Sequence, residues 1–193
     1  MTPHSELWIF RHGQTEWSIS GQHTSRTDLP LTAEGERLAK TSVRLVSGKK
    51  FAMVLCSPRK RAIATCKYAG LGDQMELTED LFEWDYGDYE GLTTVEIHEK
   101  FDKDWTVWTG VSPNGETGEQ VAARADKLIA RAKTAGGDVA LFGHGHMLRV
   151  LTARWLGLSA AEGRLFALNT GTLSILGYER DTHVIKVWNQ TPF

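Results

Sequence analysis

Three apolar runs of four or five residues, LWIF (7–10), AMVLC (52–56) and DVALF (138–142), each stop abruptly at residues capable of chemistry. These are Arg11-His12-Gly13, Ser57-Pro58-Arg59 and Gly143-His144-Gly145-His146. The runs are far too short to span a bilayer, which takes about 20 apolar residues. They are continuous rather than alternating, the pattern of strands buried on both faces. Helical signals lie between them. Thr32 is placed to N-cap a helix whose apolar face is Leu38, Ser42, Leu45 and Val46. Ser57-Pro58 reads as N-cap and first helical position of a second helix that ends near Gly70. Thr93 with Glu96, and Thr117 with Gln120, have the capping-box spacing. The second box opens a helix with Val121, Ala125, Leu128, Ile129 and Ala132 on one stripe, stopped by Gly136-Gly137. Leu148, Leu151 and Trp155 mark one more helix, closed by Gly157. MELT (75–78) reads as a third strand, and 172–178 with 183–188 as a terminal hairpin. Strand–helix alternation predicts an α/β chain, a mostly parallel sheet with helices on both faces. Such sheets bind ligands at the carboxyl ends of their strands, where all three polar clusters fall.

Composition narrows the function. The 22 basic and 24 acidic side chains leave a net charge of −2, so no global field draws the surface to nucleic acid or to a membrane. Apolar content of 41% with 24% charged residues is that of an ordinary globular domain, not a disordered or fibrous chain. No repeat or Pro/Gly/Ser-rich linker divides the sequence, which is read as one domain over 1–193. The start, MTPHSE, has neither a basic n-region nor an apolar h-region, so a cytoplasmic location is expected. The two cysteines, Cys56 and Cys66, are expected as free thiols in a reducing compartment.

The polar clusters suggest a chemistry. A neutral imidazole at a strand end, His12, is a nucleophile able to take a phosphoryl group. Arg11 beside it offers a planar fork of donors for phosphate oxygens, and Gly13 is expected to let the backbone approach an anion. Arg59, Lys60 and Arg61 place cations in the first turn of a helix, where they oppose the helix dipole. That makes sense if an anion binds there. In the acidic aromatic stretch EWDYGDYEG (83–91), Glu83 is the candidate general acid, its carboxyl expected among tryptophan and tyrosine rings. Asp85 and Asp88 are the alternatives. Each cluster alone also has an ordinary reading as solvated charge or packed ring. His12, His144 and His146 could instead be metal ligands, although no HExxH or CxxC spacing accompanies them.

RHGQTEWS (11–18), SPRKRAIAT (57–65), LFEWDYGDYEG (81–91), NGET (114–117) and FGHGH (142–146) resemble, in order and approximate spacing, the motifs of the histidine phosphatase superfamily, the phosphoglycerate mutase-like enzymes. Within it the chain is most similar to small sugar-phosphate and acid phosphatases, sedoheptulose-1,7-bisphosphatase-like members among them. The resemblance implies a three-layer αβα sandwich with a C-terminal hairpin and a metal-independent phosphomonoesterase without a cofactor. It implies His12 as the phosphorylated nucleophile, with Arg11, Arg61 and a protonated His144 on the phosphoryl oxygens and Glu83 as proton donor. Thr15, Ser18, Gln22, Tyr86 and His146 would line the pocket. His23, Thr24, Arg26 and Gly145 are expected on the substrate side, with Trp105 and Trp108 at the mouth and Arg26 available for a second phosphate. The implied partner is a small phosphorylated metabolite, and the chain is expected as a monomer or homodimer. The alternatives are a phosphoglycerate mutase-type phosphotransferase or a non-catalytic phospho-ligand-binding domain. The mutases carry an arginine pair in an insertion after the acid/base loop. The corresponding segment 101–116 is short and contains no arginine, which favours hydrolysis.

Overall fold

In the computed structural model, which describes residues 5–192, the three apolar runs lie side by side. Strand β1 (Leu7–Arg11) pairs in parallel with β4 (Val139–Gly143), and β4 pairs in parallel with β2 (Met53–Cys56). The registers match Arg11 to Gly143 and Cys56 to Phe142. The next residues, His12, Ser57 and His144, therefore emerge together at one edge of the sheet. The short β3 (Met75–Leu77) extends it in parallel beyond β2. On the other side β5 (Leu173–Glu179) runs antiparallel to β1, and β6 (Thr182–Gln190) completes the expected hairpin. The strand order is β3-β2-β4-β1-β5-β6, a mixed, mostly parallel six-stranded sheet.

Period-two side-chain alternation explains why the central strands are apolar throughout. Leu7, Ile9, Leu55, Val139 and Leu141 face one core, with α6 (Gly118–Lys133) and α7 (Gly145–Trp155) packed on it. Trp8, Phe10, Val54, Cys56, Ala140 and Phe142 face the other. That second core is covered by α4 (Lys60–Tyr68) and by α3 (Val43–Val46), which continues α2 (Ala33–Thr41). Phe10 and Phe142, neighbours in the register, stack at 4.5 Å. The connections also carry two short helices, α1 (Glu16–Ser20) and α5 (Thr94–Lys100).

Both expected capping boxes form, at Thr93/Glu96 and Thr117/Gln120, and Thr32 caps α2 through Gly35 N–H. Two expectations shift. The helix after Thr32 breaks at the buried Ser42 into α2 and α3. The helix expected from Ser57-Pro58 begins at Lys60 with Arg59 at its N-cap position and no side-chain cap; the Ser57 hydroxyl accepts from Arg59 N–H at 3.4 Å ahead of the helix and from His144 at 2.8 Å. Cys56 and Cys66 are free and buried. Among the described residues no helix is long and apolar enough to cross a membrane. Residues 1–4, part of the stretch read as leaderless, lie outside the described residues.

Candidate active site

His12 leaves β1 with its main-chain N–H donated to Gly143 O at 3.0 Å. Its Nδ1 sits 2.7 Å from Gly13 O. A carbonyl only accepts, so the proton is on Nδ1 and Nε2 keeps its lone pair. Burial, then the charges of Arg61 and Arg11, push the His12 pKa well below the ordinary imidazole value. The ring is therefore a neutral base with a fixed tautomer, which is what a nitrogen nucleophile requires. Gly13 serves a different end from the one expected. Its N–H is donated to Thr65 Oγ1 at 3.0 Å, and a Cβ on it would come within 2.7 Å of Gly35 O in α2. The glycine admits a helix, not an anion.

Arg11 turns its buried guanidinium onto the first turn of α7, where a Cβ at Gly145 would meet its Cζ at 3.2 Å. A side chain at 145 would press on Arg11 and push it by a few tenths of an ångström. Nη1 donates to Leu168 O, and Nε is a buried donor with no protein partner.

Arg61 and His144 are both fully buried and stand behind His12, off the cavity wall. Arg61 donates from Nε to His144 Nδ1 (3.2 Å), from Nη1 to Thr27 O (2.9 Å), and from Nη2 to Thr24 O and Ser25 O (3.3 and 3.4 Å). Of its five N–H groups one on Nη1 is left over. Because His144 Nδ1 accepts, its proton is on Nε2, which donates to Ser57 Oγ at 2.8 Å. Burial and the Arg61 charge hold its pKa well below the usual range. The expected imidazolium is thus corrected to a neutral ring, 5.1 Å from that of His12.

The four carboxylates of the acidic loop separate cleanly. Asp85 bonds Arg26 at 2.9 Å, Asp88 bonds Asn114, and Glu90 accepts from Ser25 N and Thr27 N at 2.9 Å. Only Glu83 enters the cavity wall. Main-chain amides hold its carboxyl, and Tyr86 shares the cavity wall with it. Oε1 accepts from Trp84 N (2.9 Å) and Met147 N (2.8 Å), and Oε2 accepts from His146 N (3.0 Å). Oε2, with a single donor, is the oxygen that can carry a transferable proton.

Arg11, His12 and Glu83 share one cavity of about 160 Å³ with Thr15, Ser18, Gln22, His23, Thr24, Tyr86, Gly145 and His146. Several of these side chains are already engaged. Thr15 and Ser18 form a capping box on α1, and Gln22 donates to Gly91 O while accepting from Ser20 Oγ. Tyr86 Oη and His146 Nδ1 share a 2.6 Å hydrogen bond. Burial lowers His23 to about 4 and places His146 well below its ordinary value.

Three expected mouth residues lie elsewhere. Arg26, drawn off by Asp85, lines a neighbouring recess with Arg59 and Arg124. Trp105 is buried under Tyr89, and Trp108 stands behind the wall. Three wall residues escaped the sequence reading, Trp17, Gly21 and Arg149. Arg149 was legible as the position four beyond Gly145 on α7, hence on the same helix face. Among the described residues no three His, Cys, Asp or Glu side chains are grouped to hold a metal ion. His144 has both ring nitrogens committed and His146 one, so with His12 they do not form a ligand set.

A profile of the histidine phosphatase superfamily (branch 1) matches residues 7–191. An acid phosphatase of Mycobacterium tuberculosis is 41% identical over 189 residues, 96% of this chain and 92% of that one. Sedoheptulose 1,7-bisphosphatase of Saccharomyces cerevisiae is 38% identical over 80% of this chain and 68% of its own length. A solved structure of an open reading frame product from Mycobacterium tuberculosis superposes with a TM-score of 0.91 at 39% identity, covering 98% of this chain and 99% of that one.

Proposed function

The chain belongs to the histidine phosphatase superfamily, branch 1, and from that premise we propose that it hydrolyses small phosphorylated metabolites, sugar phosphates and bisphosphates foremost, through a phosphohistidine. His12 Nε2 attacks phosphorus, the ester P–O bond breaks, and Glu83 Oε2–H gives its proton to the departing alkoxide. Glu83, now a carboxylate, takes a proton from water as that water attacks phosphorus. The N–P bond breaks, and phosphate leaves with His12 neutral again. Arg11 meets the equatorial oxygens from the wall, and Arg61 contributes its charge and its one uncommitted N–H from behind His12. His144 takes part as a neutral ring that Arg61 and Ser57 orient.

The observation that carries this reading is the His12 tautomer: Nδ1–H is bound to Gly13 O and Nε2 is free, in a cavity shared with Glu83. The names of the M. tuberculosis and S. cerevisiae relatives support hydrolysis of phosphorylated metabolites. The absence of arginine from 101–116 speaks for hydrolysis over mutase transfer, and Arg149 on the cavity wall suits a second anionic group on the substrate. Two buried free thiols suit a reducing compartment, so we place the enzyme in the cytoplasm. In the decisive experiment His12→Ala loses essentially all turnover, and rapid quenching of the parent protein traps acid-labile, base-stable phosphate on one histidine. Activity retained by His12→Ala overturns the mechanism.

A further inference from the structure

We propose that Trp108 is a positioning residue that sets the substrate preference through Arg149. This rests on the reading above, in which Arg149 meets a second anionic group. Arg149 is the one wall cation besides Arg11, and it pairs with no carboxylate among the described residues. One edge of its guanidinium is tied to main chain, Nε to Gly163 O at 3.1 Å and Nη2 to Arg164 O at 3.2 Å. Those two bonds leave three N–H groups uncommitted. They fix the edge but not the tilt of the plane. Tilt is set by the face, and there the Trp108 ring lies 4.4 Å from Arg149 Cζ.

The same ring meets His146 edge-on at 5.0 Å and Trp84 at 6.1 Å. It is seated on bare backbone, since a Cβ at Gly163 would fall 2.5 Å from Trp108 Cζ3. Trp108 thus stands behind two wall residues at once without reaching the cavity itself. It comes from the segment between α5 and α6, which carries no arginine of its own. That segment acts on the substrate at second hand, by aiming a cation borrowed from α7.

The test compares the parent protein with Trp108→Ala, Trp108→Phe, Arg149→Met and the Trp108→Ala/Arg149→Met double variant. Kinetics use a sugar bisphosphate and p-nitrophenyl phosphate, and NMR follows the Arg149 Nε–H proton. Trp108→Ala is expected to raise KM for the bisphosphate about 5–20-fold, the range of a partly desolvated cation–π contact. That change should exceed the one on p-nitrophenyl phosphate at least threefold. Trp108→Phe, which keeps a flat face, restores most of it, and the double variant is no worse than Arg149→Met alone. The Arg149 Nε–H signal, shifted by the indole ring current in the parent, returns toward an ordinary arginine position in Trp108→Ala. Equal losses on both substrates, additivity in the double variant, or an unmoved Nε–H signal each overturn the proposal. If the parent cleaves neither substrate while the signal still moves, the positioning stands and the phosphatase reading falls.

Discussion

The inner and outer ends of the cavity are built by different means. At the inner end main chain holds the groups closest to the chemistry: His12 by Gly13 O, Glu83 by the amides of Trp84, His146 and Met147, and Arg61 by the carbonyls of Thr24, Ser25 and Thr27. At the outer end main chain fixes only an edge of Arg149, and side chains otherwise hold one another: Tyr86 on His146, His23 against Tyr86 and Trp105, and Trp108 on the face of Arg149. Geometry at the inner end follows from the ends of parallel strands and the start of α7, so it persists as long as the sheet does. The outer wall can be rewired one side chain at a time while the reacting atoms stay in place. One scaffold can in this way present the same phosphoryl chemistry to different alcohols.

The largest effect that would break this comparison belongs to Glu83. Glu83→Gln keeps the shape but cannot give or take the proton, so turnover of an alkyl phosphate should fall about 10²–10⁴-fold. The loss should be clearly smaller on p-nitrophenyl phosphate, whose leaving group needs little protonation. Equal losses on both would make the carboxylate a mere cap on α7. Next comes Arg149→Met on the outer wall. Steady-state kinetics should show a loss of about 1.5–3 kcal/mol on a bisphosphate, roughly 10–150-fold in kcat/KM, and far less on a monophosphate. A uniform loss would make Arg149 part of the inner end.

A smaller effect comes from His23. Its folded pKa is lowered to about 4 from an ordinary 6.5, so between those values the unfolded chain binds a proton that the folded chain refuses. Stability attributable to this group is complete above pH 6.5 and declines as pH falls toward 4. At pH 5 the decline should be about 1–2 kcal/mol, and His23→Gln should remove roughly 2–8 °C of the acid-induced drop in Tm. Parallel melting curves for the two proteins would show that His23 is solvated. The smallest effect is that of Arg26→Ala. Arg26 is paired with Asp85 and well exposed, so its removal should leave the melting curve essentially unchanged, and kcat/KM on either substrate should stay within twofold. A selective loss on the bisphosphate would bring Arg26 back to the mouth.

The same division explains what was legible in the sequence. Strand ends and capping boxes are local patterns, so β1, β2, β4, the two boxes and the positions of residues 11, 12 and 144 at strand ends could be read locally. Glu83 stood out only as a candidate in an acidic aromatic stretch, and the roles came from the family resemblance. The outer wall depends on which side chain a partner removes. Nothing local to Arg26 announces that Asp85, 59 residues on, takes it away from the mouth. The protonation of His144 was misread for a related reason, since its neutrality follows from Arg61, 83 residues away, donating to Nδ1. The start of α4 lies three residues beyond Ser57, whose hydroxyl takes the Arg59 amide in the turn before the helix and also a histidine from another strand end.

The 24–27 loop is gripped from two sides: Glu90 takes the amides of Ser25 and Thr27, while Arg61 takes the carbonyls of Thr24, Ser25 and Thr27. Irregular in backbone, it is nonetheless tied down along its length, because opening it takes the carbonyl acceptors away from a buried guanidinium. In amide hydrogen exchange the Ser25 and Thr27 protons should therefore behave as members of the sheet's cooperative unit, protected for as long as Arg61 stays home. Loss of Arg61 or Glu90 would detach the loop from that unit, and the segment would become a site of local opening beside an otherwise intact fold.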